Sequence, residues 1–139
     1  MTETANVMMH ITELRVSTQY QKAISKIQLA KPEDIKAWST HKNCSEYADL
    51  RIAIGIWERL AMTISHLGAE QDKVYSCTPV GLMWDILEPA IANIRETEEL
   101  PNYASQFEKL KDDYECWGKT ESGKNFGSIS DQAICALFG

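Results

Sequence analysis

At 139 residues, 44% of them hydrophobic and 24% charged, the chain has the size and composition of one folded domain with a genuine core. Its net charge of −6 argues against general binding to nucleic acid, because phosphate neutralisation needs clustered Lys and Arg. No apolar run approaches the ~18 residues needed to cross a bilayer, so no membrane partner is expected.

The N-terminal stretch MTETANVMMHITELR lacks the basic segment, apolar run and small-residue cleavage site of a signal peptide. The cysteines Cys44, Cys77, Cys116 and Cys135 are scattered, with no Cys-x-x-Cys pair. Zinc and redox patterns fail on that spacing, and a reduced cytoplasmic protein with free thiols is expected.

In chain order, residues 5–29 read as a first helix with a broken stripe of Val7, Ile11, Leu14, Tyr20, Ile24 and Ile27. Ser17 and Thr18 weaken its middle, and two shorter helices are the alternative. Pro32, Glu33 and Asp34 open a short helix, with proline in the first turn and acids at the positive dipole end. Ile35 and Trp38 are its expected buried residues.

The strongest element is the central helix, 43–67. Asn43 and Glu46 form a capping pair at its start, and Gly68 is suited to the left-handed stop. Leu50, Ala53, Ile54, Trp57, Leu60, Ala61, Ile64 and Leu67 recur at spacings of three and four, while Ile52, Ile56 and Met62 add apolar surface elsewhere. Such a helix touches neighbours on more than one side.

Residues 69–76 read as a short helix or turn with Val74 and Tyr75 inward. Thr78 as N-cap and Pro79 at the first helical position open a helix over 79–98. Pro89 within it predicts a kink, or a split into two helices. A last strong helix spans 102–117, with Tyr103, Phe107, Leu110, Tyr114 and Trp117 on one face. Residues 1–118 are expected to form the bundle domain, and 119–139 a linker and tail with room for a short helix from Ser130. The reading is all-α: a bundle of about four to six helices with short connections.

Two segments carry a resemblance. Ile56-Trp57-Glu58-Arg59-Leu60-Ala61 is followed, after a loop of about twenty residues, by Met83-Trp84-Asp85-Ile86-Leu87-Glu88-Pro89-Ala90-Ile91-Ala92-Asn93-Ile94-Arg95-Glu96. Together they resemble a family of small helical bacterial proteins known only as a domain of unknown function, over roughly residues 46–117. The resemblance implies the helical fold and no activity. Members of that family often carry an N-terminal membrane helix, a run this sequence lacks.

Candidate chemistry is sparse. Glu58 interrupts a very apolar helix, and a buried carboxylate there needs a cation, for which Arg95 and Arg51 are available. The two readings are an inter-helix ion pair and an acid or base in a pocket. His10 and Glu13 share a helix face and, with Glu58 and Glu88, would be the parts of a helical metal site. The His-Glu-x-x-His pattern is absent, so no metal or cofactor is expected. His41 and Cys44 stand at turn-like spacing. No nucleophile elbow, Walker loop or dinucleotide-binding glycine pattern is present, and no catalytic residues are assigned.

Trp38, Trp84 and Trp117 are candidate interface residues, since tryptophan is enriched at contacts as well as in cores. The expected function is therefore protein–protein interaction, with a homodimer or another protein as partner and a mobile-element accessory role as the setting. A small-ligand or enzyme pocket near Glu58 is one alternative. The other is an acidic inhibitor using Glu96, Glu98, Glu99, Asp112, Asp113 and Glu115 against a basic partner.

Overall fold

Apolar residues at three- and four-residue spacings fold as helices that turn those residues toward one another. The computed structural model describes residues 9, 11–66, 74–75 and 78–120. Among these a helical segment at 11–16 leads into α1 (Thr18–Ile27), α2 (Pro32–Thr40), α3 (Ser45–His66), α4 (Val80–Thr97) and α5 (Ser105–Gly118). No strand occurs among the described residues, and the architecture is an all-α bundle. Gly68, Leu67, Val7, His10 and the tail from 121 lie outside the described residues.

The stretch expected at 5–29 divides at Ser17. Its φ of −60° and ψ of 141° are extended, and its hydroxyl accepts the N–H of Tyr20 at 3.2 Å, capping α1. Below it Tyr20, Ala23, Ile24 and Ile27 are buried. α2 begins as expected at Pro32, and Asp34 Oδ2 accepts the Lys31 N–H at 3.2 Å.

α3 is the centre. It packs against each of the other four helices, and Leu50, Ala53, Ile54, Ile56, Trp57, Leu60 and Ala61 are all buried on it. Each large side chain among them contributes roughly 1.5–3 kcal/mol by leaving water. The expected start is corrected: α3 begins at Ser45, and Asn43 lies in the preceding turn. Glu46 holds its own end instead. Its carboxylate accepts from its own N–H, and the Ser45 hydroxyl lies 3.2 Å from Oε2. A carboxylate inside the first turn meets the unpaired donors directly, so the residue three positions earlier is not required.

α4 runs unbroken through Pro89, so the split into two helices does not occur. Its start is also corrected. Pro79, with φ −80° and ψ 59°, stands outside the helix, there is no side-chain cap, and Thr78 is buried. At the far end Glu99 adopts a left-handed φ of 54°, and Leu100 N–H reaches back to Arg95 O at 3.1 Å. That closure usually falls to glycine; here a glutamate adopts it, with Pro101 two residues on.

α5 starts at Ser105 rather than 102, because Ala104 is left-handed (φ 61°) and breaks the helical path. Phe107, Leu110 and Trp117 on its inner face are buried. Phe107 stacks on Trp57 with centroids 5.4 Å apart and meets Trp84 edge-on at 5.2 Å. Tyr75 and Tyr114 close around Trp117 with centroid distances of 5.2 and 5.8 Å.

Polar ties pin the helices. Trp57 Nε1 donates to the Tyr20 hydroxyl at 3.1 Å, joining α3 to α1 in a fully buried pair. Asn93 Nδ2 donates to Ser39 Oγ and Thr40 Oγ1, both at 2.8 Å, joining α4 to α2. Asp49 Oδ2 has no regular hydrogen bond but is held by the Lys26 ammonium at 3.1 Å.

Candidate functional site

Glu58 reaches across to α5. Its Oε1 accepts the Phe107 N–H at 2.8 Å. Phe107 is the third residue of α5, and Ala104 before it offers no side-chain cap. The carboxylate of one helix therefore caps the N-terminus of another, where the unpaired N–H groups and the helix dipole favour an anion.

The arginines are engaged elsewhere. Arg95 donates from Nε to Tyr103 O at 2.8 Å and pairs through Nη1 with Glu108 Oε1 at 2.8 Å. Arg51 pairs with Glu98 Oε2 at 3.4 Å, donates to the Tyr47 hydroxyl at 3.2 Å, and lies 4.6 Å from the centroid of the Tyr103 ring. Neither arginine pairs with Glu58: the two meet at Tyr103, Arg95 on its carbonyl and Arg51 on its ring, while Glu58 holds the Phe107 N–H.

Around Glu98 a polar network forms at the C-terminal end of α4. The Tyr47 hydroxyl donates to Glu98 Oε2, and Lys42 Nζ pairs with Oε1 at 3.2 Å. The Tyr47 hydroxyl, followed by Lys42 and Arg51, holds the Glu98 carboxyl below the usual carboxylate range. Burial pushes the Tyr103 phenol up to about 12. Both carboxylate oxygens of Glu98 are engaged in this network, so it ties the chain end of α4 to α3.

A groove of about 440 Å³ lies between α4 and α5, lined by Trp84, Asp85, Glu88, Ile91, Ala92, Arg95, Glu108 and Lys111. Trp84 is half-buried at the groove, and Lys111 Nζ stands 5.4 Å from its ring centroid. Lys111 also pairs with Asp112 at 2.8 Å, which raises the pKa of its ammonium. With Arg95 held by Glu108, both cations of the groove are matched internally. Among the described residues Asp85 and Glu88 have no ion-pair partner, and both are exposed. Glu58 does not line this groove.

Sequence reading singled out Trp84 and Arg95 but not Asp85, Glu108 or Lys111 as site residues. The available signal was the Asp85–Glu88 spacing, which puts two acids one turn apart beside a tryptophan. Of the other tryptophans, Trp38 is half-buried and Trp117 is 4% exposed. The Cys44 thiol donates to Trp38 O at 3.7 Å rather than to His41. Cys77 and Cys135 lie outside the described residues, as does His10 of the His10–Glu13 pair. Among the described residues no group of three His, Cys, Asp or Glu side chains converges as a metal site. No helix among them is long and apolar enough to cross a membrane.

No curated protein and no solved structure matches the chain. A family model does, over residues 1–114, which takes in the helices from α1 to most of α5 together with both groove walls. The chain belongs to the DUF4760 family, a domain of unknown function.

Proposed function

We propose that the chain acts by protein–protein contact, with the α4–α5 groove as the contact surface. The observation that carries this reading is Trp84, half-buried between two helices with charged side chains around it. Interface cores are enriched in tryptophan and arginine, with charge toward the rim. The alternative of an acid–base pocket at Glu58 has less support, since that carboxylate is engaged by a main-chain N–H. The acidic-inhibitor reading on Glu96, Glu98, Glu99, Asp112, Asp113 and Glu115 has less support, since Glu98 is already paired with Lys42 and Arg51 and Asp112 with Lys111. Free thiols at Cys44 and Cys116 favour a reducing, cytoplasmic setting.

The test is a photo-crosslinking amino acid at Ala92 in the groove and, as control, at Lys22 on the exposed side of α1. A discrete adduct from position 92 and not from 22 is the expected result. No adduct from 92, or the same adduct from both, defeats the reading. Light scattering on the purified chain then separates a homodimer, at twice the chain mass, from a contact with another protein.

A further inference from the structure

Resting on the contact reading above, we propose that the groove between α4 and α5 receives a basic, Lys- or Arg-bearing segment of a protein partner. Asp85 and Glu88 are its anchoring carboxylates.

Charge complementarity favours a cationic occupant. Five charged side chains line the groove: Asp85, Glu88, Arg95, Glu108 and Lys111. An acidic occupant would have to displace Glu108 from Arg95, or Asp112 from Lys111, each at 2.8 Å. A cationic occupant displaces nothing, because Asp85 and Glu88 carry the unmatched charge. They stand three residues apart on a helix, hence on neighbouring turns of one face, a spacing a guanidinium or ammonium can bridge.

Long cationic side chains also need an apolar path for their methylene stems. The Trp84 indole and Ala92 provide it along the same wall. A volume of about 440 Å³ suits one or two such side chains. The chain's net charge of −6 adds long-range attraction for a basic partner.

The experiment titrates the full chain with a short alternating Arg-Ala peptide and a Glu-Ala control, followed by calorimetry. The Arg-Ala peptide should bind and the Glu-Ala peptide should not. The pair Asp85→Asn/Glu88→Gln should weaken binding by about five- to tenfold, as expected for the loss of two exposed ion pairs. The pair Glu13→Gln/Glu33→Gln removes the same charge from exposed positions at 11–16 and on α2, and should weaken it less than about twofold.

Equal weakening by the two pairs, preference for the Glu-Ala peptide, or no binding of the Arg-Ala peptide overturns the proposal. An adduct from position 92 that persists in Asp85→Asn/Glu88→Gln also overturns it, while leaving the contact reading intact. Loss of the adduct in that variant alone supports it.

Discussion

Glu58 Oε1 accepts the main-chain N–H of Phe107 at 2.8 Å, so the central helix caps the helix that packs beside it. Two links meet in this bond: the local need of α5 for an N-terminal acceptor, and the tertiary contact of α3 with α5. Removing an N-cap acceptor costs about 0.5–2 kcal/mol, and the value here should lie in the upper half because Phe107 is buried. Glu58→Ala is expected to lower unfolding stability by about 1–2 kcal/mol. Glu58→Gln keeps an oxygen acceptor and loses only the charge–dipole part, about 0.3–1 kcal/mol. Urea unfolding of the two variants checks the order; equal losses would show that the oxygen acceptor contributes nothing.

Tyr20 and Trp57 form a fully buried cross-helix bond, with both side chains enclosed. Burial pushes the Tyr20 phenol up, the indole donor only partly offsetting it. Tyr20→Phe leaves the Trp57 N–H without its acceptor in an apolar core, at a cost of about 1–3 kcal/mol. Trp57→Phe removes the donor as well but also opens a cavity, so it should cost more. Thermal unfolding followed by circular dichroism measures both, and a Tyr20→Phe protein as stable as the parent would show that the bond contributes nothing.

The helices were legible because their signals are local. Stripes at three- and four-residue spacing mark α3, α4 and α5, and most of each is buried, although Ile64, Ile86, Tyr103 and Tyr114 are half-buried and Leu82, expected inside with Met83 and Leu87, is exposed. The Ser17 break stood only as the alternative to one helix over 5–29, although a residue that caps through its own side chain is a local signal. What failed was the assignment of partners. Glu58 and Phe107 are 49 residues apart, and Tyr47 and Glu98 are 51 apart. No periodicity links such positions. The absence of Ser, Thr, Asp or Asn at 104 was nonetheless a usable hint that α5 takes its acceptor from elsewhere. The groove was half legible: Trp84 and Arg95 lie on α4, but its other wall depends on how α5 packs.

Acid should release the network at the end of α4. The Glu98 carboxyl titrates below its ordinary value because the Tyr47 hydroxyl, Lys42 and Arg51 favour its charged form. A carboxyl depressed on folding adds stability that is complete above the unfolded pKa, about 4.3, and is lost as pH falls through the lower folded value. The urea midpoint should therefore fall as pH is lowered below about 4. In Glu98→Gln that limb should be shallower, though not flat, because Glu46 is depressed as well by its own N–H. An acid limb identical in parent and variant would remove Glu98 from the account. At the alkaline end Tyr75 and Tyr103 are raised by burial to about 12. Stability should then decline between about 10, where the unfolded phenols ionise, and 12, as followed by far-ultraviolet circular dichroism.

Two glycines in helices should respond oppositely to the same change. Gly55 is in the middle of α3, and a Cβ placed there meets nothing within 4 Å. Gly55→Ala removes backbone freedom from the unfolded chain without a clash, and should raise stability by about 0.5–1 kcal/mol. Gly81 is in the first turn of α4, and its added Cβ would stand 3.1 Å from Cε2 of Tyr114. That ring packs beside Tyr75 and Trp117, with centroid distances of 5.5 and 5.8 Å. Shifting it disturbs the aromatic cluster, so the helix-propensity gain at Gly81 should be cancelled or reversed. Denaturation midpoints of Gly55→Ala and Gly81→Ala, compared in one buffer, decide the matter. Equal gains would mean that the Tyr114 ring yields freely, and that α4 and α5 are not held in register by it.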